Sequence, residues 1–178
     1  MTAGAIYIAR NPFDVVVSFS HHFQIDLQRA VDSLCEANYY LPGTDQVLMQ
    51  FLGSWSRHVN SWTKVPGLVL HVVRFEDMVQ KPLKTFGKII DFLELPNRRD
   101  HVKRAIEFSS FRELAGQEVK HDFVESRPDS DVKFFRSGRV GGWHNVLSEA
   151  QVKQLIDAHG DTMRELGYLD RRGRPKGI

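Results

Sequence analysis

The stretch of sequence that decides the fold reads Ile6-Tyr7-Ile8-Ala9-Arg10-Asn11-Pro12-Phe13-Asp14-Val15-Val16-Val17-Ser18. Its apolar, β-branched start ends at Arg10, and a segment suited to a helix begins at Pro12, which together predict strand, turn and helix. Pro12 fits a first helical position because it has no N–H to leave unbonded and its φ is already helical. Asn11, directly before it, is a favourable N-cap.

The junction between this strand and this helix predicts an anion site. Free N–H groups and the helix dipole attract negative charge, and ligands of open α/β sheets bind where strands end. Arg10 adds a guanidinium, and Ser18, about two turns into the helix, adds a hydroxyl. These residues therefore predict a phosphate site without a glycine-rich loop. The alternative is an ordinary buried strand before a helix, with Arg10 in a salt bridge.

The composition is that of one soluble globular domain. The 178 residues are 42% apolar and 26% charged, which is ordinary for a chain with a buried core. No apolar run reaches the roughly 20 residues of a membrane span, and the first residues lack a signal-peptide pattern. Cys35 is the one cysteine, so we expect no internal disulfide and a cytoplasmic location.

The positive charge is concentrated at the end of the sequence. The net charge is +2, but Arg171–Lys176 holds four bases and no acid, which leaves −2 on the remainder. A nucleic-acid partner is therefore not expected. We predict a domain over residues 1–169 and a basic, flexible tail over residues 170–178.

The opening stretch also carries a family resemblance. The pattern Ala-Arg-Asn-Pro-x-Asp-Val-x-x-Ser over residues 9–18 resembles the 3′-phosphate-binding segment of cytosolic-type sulfotransferases. Those enzymes use 3′-phosphoadenosine 5′-phosphosulfate (PAPS) as sulfuryl donor. The resemblance implies that Arg10 and Ser18 bind the 3′-phosphate of PAPS or of its product, adenosine 3′,5′-bisphosphate.

A second motif lies late in the chain. It reads Phe134-Phe135-Arg136-Ser137-Gly138-Arg139-Val140-Gly141-Gly142-Trp143-His144-Asn145. Glycines let backbone N–H groups approach an anion, and Arg136 supplies a charged fork. The alternative is a flexible glycine loop. The motif is similar to the family's Arg-Lys-Gly-x-x-Gly-Asp-Trp-Lys-Asn segment, which implies that Arg136, Ser137 and Gly138 close over the 3′-phosphate.

Two positions of this motif depart from the family pattern. Ser137 stands where relatives carry Lys, which removes a charge directed at phosphate. Gly142 stands where they carry Asp, which removes an acceptor. We hypothesise that Arg139 supplies the missing positive charge from two residues away.

The resemblance implies further nucleotide contacts. Phe75 stands at the position of an aromatic residue near the nucleotide, where it can stack but has no hydroxyl to donate. Ser109, Ser110 and Phe111 match a hydroxyl–Ser–Phe step that touches the adenine and its ribose-phosphate edge. The alternative is that the two serines are an ordinary N-cap.

The fold implied is a three-layer, P-loop-NTPase-like α/β sulfotransferase fold, with a parallel sheet flanked by helices and N-terminally incomplete. In relatives a phosphosulfate loop with its Lys, and a catalytic His, precede the matching segment. We assign no catalytic residue and no metal, and the acceptor is a hydroxyl or amine. An apolar sheet edge left exposed predicts self-association.

Two other functions stay open at this point. One is a non-catalytic module that binds adenosine bisphosphate or a partner. The other is a P-loop nucleotide kinase, which is disfavoured because Gly87-Lys88 is followed by Ile89 instead of Ser or Thr.

Three helix boundaries follow from the apolar spacing. Asp45 is expected to cap a long amphipathic helix through Trp62. A short helix after Phe111 is expected to end near Gly116, before a polar loop. The last helix is expected to run from Glu149 to Leu166, with Ser148 as its cap and Gly167 as its stop.

Overall fold

The opening stretch folds as predicted in a computed structural model that describes residues 4–43, 48–121, 134–135 and 137–176. Strand β1 (Ala5–Ala9) is followed by helix α1 (Pro12–Phe23), and Pro12 is its first residue. Asn11 caps the helix, because its Oδ1 accepts the N–H of Phe13 at 3.1 Å. The start of α1 was thus predictable from neighbouring residues in the sequence.

The other described elements follow in chain order. They are α2 (Leu27–Cys35), β2 (Tyr40–Leu41), β3 (Gln50–Phe51), α3 (Trp55–Thr63), β4 (Leu70–Arg74), α4 (Phe75–Gln80), α5 (Pro82–Phe92), α6 (Arg99–Phe108), α7 (Phe111–His121), a 3-10 turn (Gly142–Asn145) and α8 (Glu149–Glu165). The chain divides into unit 1 (Met1–Phe75 and Gly141–Ile178) and unit 2 (Glu76–Val140).

The central pairing is the parallel ladder between β1 and β4. Its register runs from Ala5 opposite Leu70 to Ala9 opposite Arg74. Parallel pairing brings the carboxyl ends of both strands to one edge, so Arg10 and Phe75 follow neighbouring strands. The predicted α/β class with a parallel sheet is confirmed. A separate antiparallel pair joins β2 to β3.

Unit 1 has its core where α1, α2, α3 and α8 pack together. Its fully buried side chains, none with more than 2% of its surface exposed, include Phe13, Val16, Ala30, Val31, Leu155, Met163 and Tyr168. Burial of each large apolar side chain contributes about 1.5–3 kcal/mol. The last helix is confirmed: Ser148 and Gln151 form a capping box, and Gly167 follows the helix at φ +76°.

The helix predicted from Asp45 to Trp62 begins later than expected. Gln50 and Phe51 lie in β3, and α3 starts only at Trp55. Gly53 lies between them at φ +64°, a left-handed conformation that a helix cannot continue through. Ser54 then caps α3 by accepting the N–H of Arg57 at 3.3 Å. Asp45 itself lies outside the described residues.

Unit 2 contains most of α4 and the whole of α5, α6 and α7. Helices α5 and α6 pack on each other, and Val102 of α6 is buried. Helix α7 continues through Gly116 to His121, so the predicted end near Gly116 is wrong. A glycine inside a helix costs only about 1 kcal/mol relative to alanine, which the rest of the helix can offset.

The basic tail contains a hydrogen-bonded turn. The Asp170 carboxylate accepts the N–H groups of Arg172 at 2.8 Å and of Arg174 at 2.9 Å, and Leu169 bridges to Pro175. These bonds, that to Arg174 first, lower the pKa of Asp170. The flexible tail over residues 170–178 stays a prediction. The boundary at residue 169 stays a prediction.

Candidate functional site

Three of the predicted site residues come together in unit 1. The Nη1 group of Arg10 donates a hydrogen bond of 3.0 Å to the Oγ of Ser18. The guanidinium also lies over the ring of Phe75, 4.7 Å from its centroid, a distance typical of a cation–π contact. Arg10, Ser18 and Phe75 thus form one cluster at the carboxyl edge of the β1–β4 ladder. We call it the Arg10 cluster.

The main chain of this cluster is held by a tryptophan. The Nε1–H of Trp55 donates to the carbonyl of Arg10 at 3.2 Å, and the indole itself is buried. The sequence analysis missed this role of Trp55, since no sequence pattern shows which carbonyl a buried indole N–H will reach.

The donors of the Arg10 cluster suit an anionic ligand. A guanidinium offers only donors and binds phosphate oxygens in pairs. Ser18 accepts from Arg10, so its own hydroxyl hydrogen is left to donate to a further oxygen. The residues present therefore fit a phosphate group, and the phosphate site over residues 6–18 stays a prediction.

Unit 2 contains the predicted residues that the resemblance places near the adenine. The backbone of Gly138 lies against the ring of Phe111, because a Cβ at residue 138 would lie 2.6 Å from Cγ of that ring. Gly138 also has a φ of +57°, where glycine is strongly favoured. Both the conformation and the ring disfavour a larger residue at position 138.

The two serines before Phe111 make local bonds. The Oγ of Ser109 donates to the carbonyl of Ala105 at 2.8 Å, and the Oγ of Ser110 accepts the N–H of Glu113 at 3.4 Å. This second bond is the N-cap that was the alternative interpretation. Ser137 lies in unit 2 as well, and the Arg136 prediction falls outside the described residues.

Two carboxylates that the sequence did not single out hold the ends of the second motif. In unit 2, Glu118 accepts the N–H groups of Phe134 at 2.6 Å and of Phe135 at 3.1 Å. In unit 1, Asp14 accepts those of Gly141 at 2.8 Å and of Trp143 at 3.2 Å. The idea that the Gly141 N–H approaches a ligand anion is therefore wrong, because Asp14 already binds it.

The half-buried His58 and the buried His159 of unit 1 have structural partners. His58 Nδ1 lies 2.9 Å from the hydroxyl of Tyr7, and His159 Nδ1 lies 2.9 Å from that of Ser56. Burial lowers the pKa of His58, lowers that of His159 to about 4 and raises that of Tyr7 to about 12. Within the described residues no three His, Cys, Asp or Glu side chains are grouped to hold a metal ion.

Comparison with known proteins identifies the family. The sulfotransferase domain family matches residues 3–167 of this chain. The chain belongs to the sulfotransferase family.

Named sulfotransferases are similar over most of this chain. Sulfotransferase 1B1 of Mus musculus is 31% identical over 164 residues, which are 84% of this chain and 50% of that protein. Cytosolic sulfotransferase 15 of Arabidopsis thaliana is 28% identical over 164 residues, 84% of this chain and 44% of the relative. The chain thus spans about half the length of these sulfotransferases.

Solved structures show the same fold. Mouse sulfotransferase SULT7A1 complexed with PAP superimposes with a TM-score of 0.68 at 22% identity, over 90% of this chain and 58% of that chain. Retinol dehydratase in a complex with retinol and PAP superimposes with a TM-score of 0.67 at 20% identity, over 91% of this chain and 48% of that chain. The predicted sulfotransferase fold is therefore confirmed. In the part of this chain that the structure describes, no helix is long and apolar enough to cross a membrane.

Proposed function

We propose that this chain binds the 3′-phosphate side of PAPS, or of its product adenosine 3′,5′-bisphosphate, through the Arg10 cluster. The observation that carries the proposal is the hydrogen bond from Arg10 to Ser18. It places a charged donor and a hydroxyl side by side, a pair that suits the oxygens of a phosphate. Family membership supports the same ligand, since the solved relatives are named as complexes with PAP.

Each predicted residue has a stated part in this proposal. Arg10 and Ser18 bond the 3′-phosphate oxygens, and Phe75 lies beside the nucleotide. Ser109, Ser110 and Phe111 face the adenine and its ribose-phosphate edge. Arg136, Ser137 and Gly138 supply a second set of contacts to the 3′-phosphate. When bound, PAPS supplies the sulfuryl group that the family transfers to an acceptor hydroxyl or amine; the residues of this chain bind and orient the nucleotide.

Calorimetry with two nucleotides tests the proposal. Adenosine 3′,5′-bisphosphate and 5′-AMP differ by the 3′-phosphate, so a clear preference for the bisphosphate is expected. Arg10→Ala removes the charged donor, and charge-assisted bonds of about 1.5–3 kcal/mol predict a loss of roughly 10–100-fold in bisphosphate affinity. Arg57→Ala is the matched control, because Arg57 lies over the ring of Phe51 on the exposed surface. Equal affinity of the natural chain for both nucleotides would overturn the proposal.

The second candidate is a non-catalytic module that holds adenosine bisphosphate. The partners of His58 and His159 favour it, because each ring bonds a neighbouring hydroxyl in the fold. Labelled PAPS incubated with the protein and a mixture of phenols and amines separates the candidates. Sulfated product supports the enzyme, whereas tight nucleotide binding without product supports the module.

We further propose a cytosolic location and self-association through β1. The location is supported by the relative named as a cytosolic sulfotransferase, and a fluorescent fusion of the chain tests it. The association is supported by the sheet, since among the described residues no strand bonds β1 along the edge away from β4. The side chain of Ile8 in this strand is 52% exposed. An apolar edge strand of this kind favours pairing with another chain.

A further inference from the structure

The carboxylate of Asp14 bonds a segment 127 residues away in the sequence. Its Oδ2 accepts the N–H of Gly141 at 2.8 Å, and its Oδ1 accepts that of Trp143 at 3.2 Å. Asp14 is 3% exposed. A buried carboxylate is costly unless its oxygens are bonded, so these two N–H groups stabilise its place in the fold.

We propose that Asp14 is a positioning residue for recognition of the 3′-phosphate. Asp14 lies in the first turn of α1, four residues after Arg10 and four before Ser18, and its two bonds tie that helix to the second motif. This inference rests on the proposed function. It assigns Asp14 no contact with the nucleotide; the residue acts through the segments that it joins.

The bonds fix the backbone where the second motif re-enters unit 1. Gly141 has a φ of +77°, a turn that few other residues adopt. Loss of the Asp14 bonds therefore frees the backbone of Gly141 and Trp143, which the helix carrying Ser18 otherwise holds.

A second carboxylate makes the same pattern of bonds within unit 2. Glu118 is 8% exposed and accepts the N–H groups of Phe134 and Phe135. Phe135 directly precedes Arg136 in the sequence. We include Glu118 in the proposal, because each end of the motif is then held by one buried carboxylate that accepts two backbone donors.

Apolar packing separates this role from folding as a whole. The ring of Phe13 lies 4.5 Å from that of Trp143, between centroids, and both side chains are buried. This contact stays when Asp14 is replaced by Asn, which is nearly the same size. In that variant the amide group replaces one oxygen, so one backbone N–H faces a donor and its hydrogen bond is lost.

Calorimetry on the full chain tests the proposal with Asp14→Asn and Glu118→Gln. We expect each to bind adenosine 3′,5′-bisphosphate about tenfold more weakly, with 5′-AMP affinity unchanged within twofold. The matched control is Asp26→Ala, which removes the N-cap bond to the N–H of Arg29. It is expected to lower the melting temperature without changing the ratio of the two affinities.

The outcomes separate this inference from the proposed function. A natural chain with no preference for the bisphosphate overturns the proposed function itself. If the natural chain shows the preference, two results overturn the role of the carboxylates. The variants either keep the preference, or their affinities for both nucleotides fall equally.

Amide hydrogen exchange of the natural chain tests the same role without any variant. We expect the amides of Gly141 and Trp143 to be protected before nucleotide is added, since Asp14 already binds them. Fast exchange of both amides in the free protein would overturn the proposal even if the variants fail to fold.

Discussion

The guanidinium of Arg10 donates a 3.0 Å hydrogen bond to the hydroxyl of Ser18, eight residues further along the chain. The bond orders the two side chains that we propose contact the 3′-phosphate. Ordering a long side chain on binding costs about 0.5–1.5 kcal/mol, and a group already held in place avoids most of that cost. The proposed phosphate site is thus already ordered within the fold.

Removal of the Ser18 hydroxyl is expected to weaken nucleotide binding. Ser18→Ala deletes one donor to the phosphate and the acceptor that orients Arg10, so bisphosphate affinity is expected to fall roughly 10-fold or more. Ser20→Ala is the control, because that hydroxyl donates to the carbonyl of Ile25 at 2.6 Å. Titration of the three proteins compares them, and similar affinities for Ser18→Ala and the natural chain would refute this role.

Alanine at position 138 is expected to destabilise the protein more than alanine at position 67. Both glycines have a positive φ, +57° and +75°, which costs a non-glycine residue about 1–2 kcal/mol. A Cβ at residue 138 also overlaps Phe111, whereas one at residue 67 meets nothing within 4 Å. We expect about 3 kcal/mol for Gly138→Ala and about 1 kcal/mol for Gly67→Ala in denaturant unfolding. Equal losses of unfolding free energy in the two variants would show that the Phe111 ring moves to make room for the new Cβ.

His159 is expected to make stability fall as the pH falls. Burial lowers its pKa from 6.5 to about 4, so the folded chain favours the neutral ring. Below pH 6.5 the unfolded chain binds a proton that the folded chain does not, and stability is lost until about pH 4. The loss is on the order of 3 kcal/mol.

Denaturant unfolding at several pH values measures this effect. His159→Gln is expected to flatten the pH dependence between pH 6.5 and 4. The control is His101→Gln, which changes an exposed side chain. Since burial also lowers the pKa of His58, the contribution of His159 is the difference between the natural chain and its variant. If the free energy of unfolding depends on pH equally in the natural chain and in His159→Gln, His159 is not the cause.

The sequence predicted those parts of the fold that depend on neighbouring residues. Pro12, its cap Asn11 and the Ser148 cap are local features, and all three are confirmed. The start of α3 was misjudged because Leu48 and Phe51 happen to continue its apolar spacing. The left-handed Gly53 and the pairing of β3 with β2 override that spacing, and neither is visible in a helical pattern.

The candidate site was predictable where a residue type carries its own chemistry. Arg10 and Ser18 suggested an anion site by charge and hydroxyl alone, and they lie together. Asp14 and Glu118 were missed, because their partners are backbone N–H groups, which every residue except proline has. Only the tertiary structure shows which of those groups a carboxylate meets.

Self-association through β1 is expected to depend on its exposed isoleucine. Light scattering should show a mass that rises with protein concentration for the natural chain, since Ile8 is 52% exposed on an edge strand. Ile8→Lys places a charge on that edge and is expected to leave monomers. The control is Val119→Lys, which alters a side chain of α7 that is 66% exposed. A natural chain that stays monomeric at high concentration would contradict self-association through β1.

Arg139 is expected to replace the charge that Ser137 lacks. Its side chain is exposed within the second motif, and Arg139→Ala should weaken bisphosphate binding roughly 3–10-fold through loss of a charge near phosphate. Arg112→Ala is the control, since that side chain is 92% exposed. Unchanged bisphosphate affinity in Arg139→Ala would show that Arg139 does not replace the charge absent at Ser137.

Unit 1 is built from two stretches of chain that the whole of unit 2 separates, and this order affects synthesis on the ribosome. Its long-range bonds join Ser56 to His159 at 2.9 Å and Gln28 to Gln154 at 2.9 Å. Helix α8, which packs on α2 and α3, is translated only after residues 76–140. Until then, the apolar surfaces that α8 covers in the folded chain stay exposed to solvent. Contacts so distant in sequence form slowly. We therefore expect a translational pause within unit 2 to prolong the exposure of these apolar surfaces.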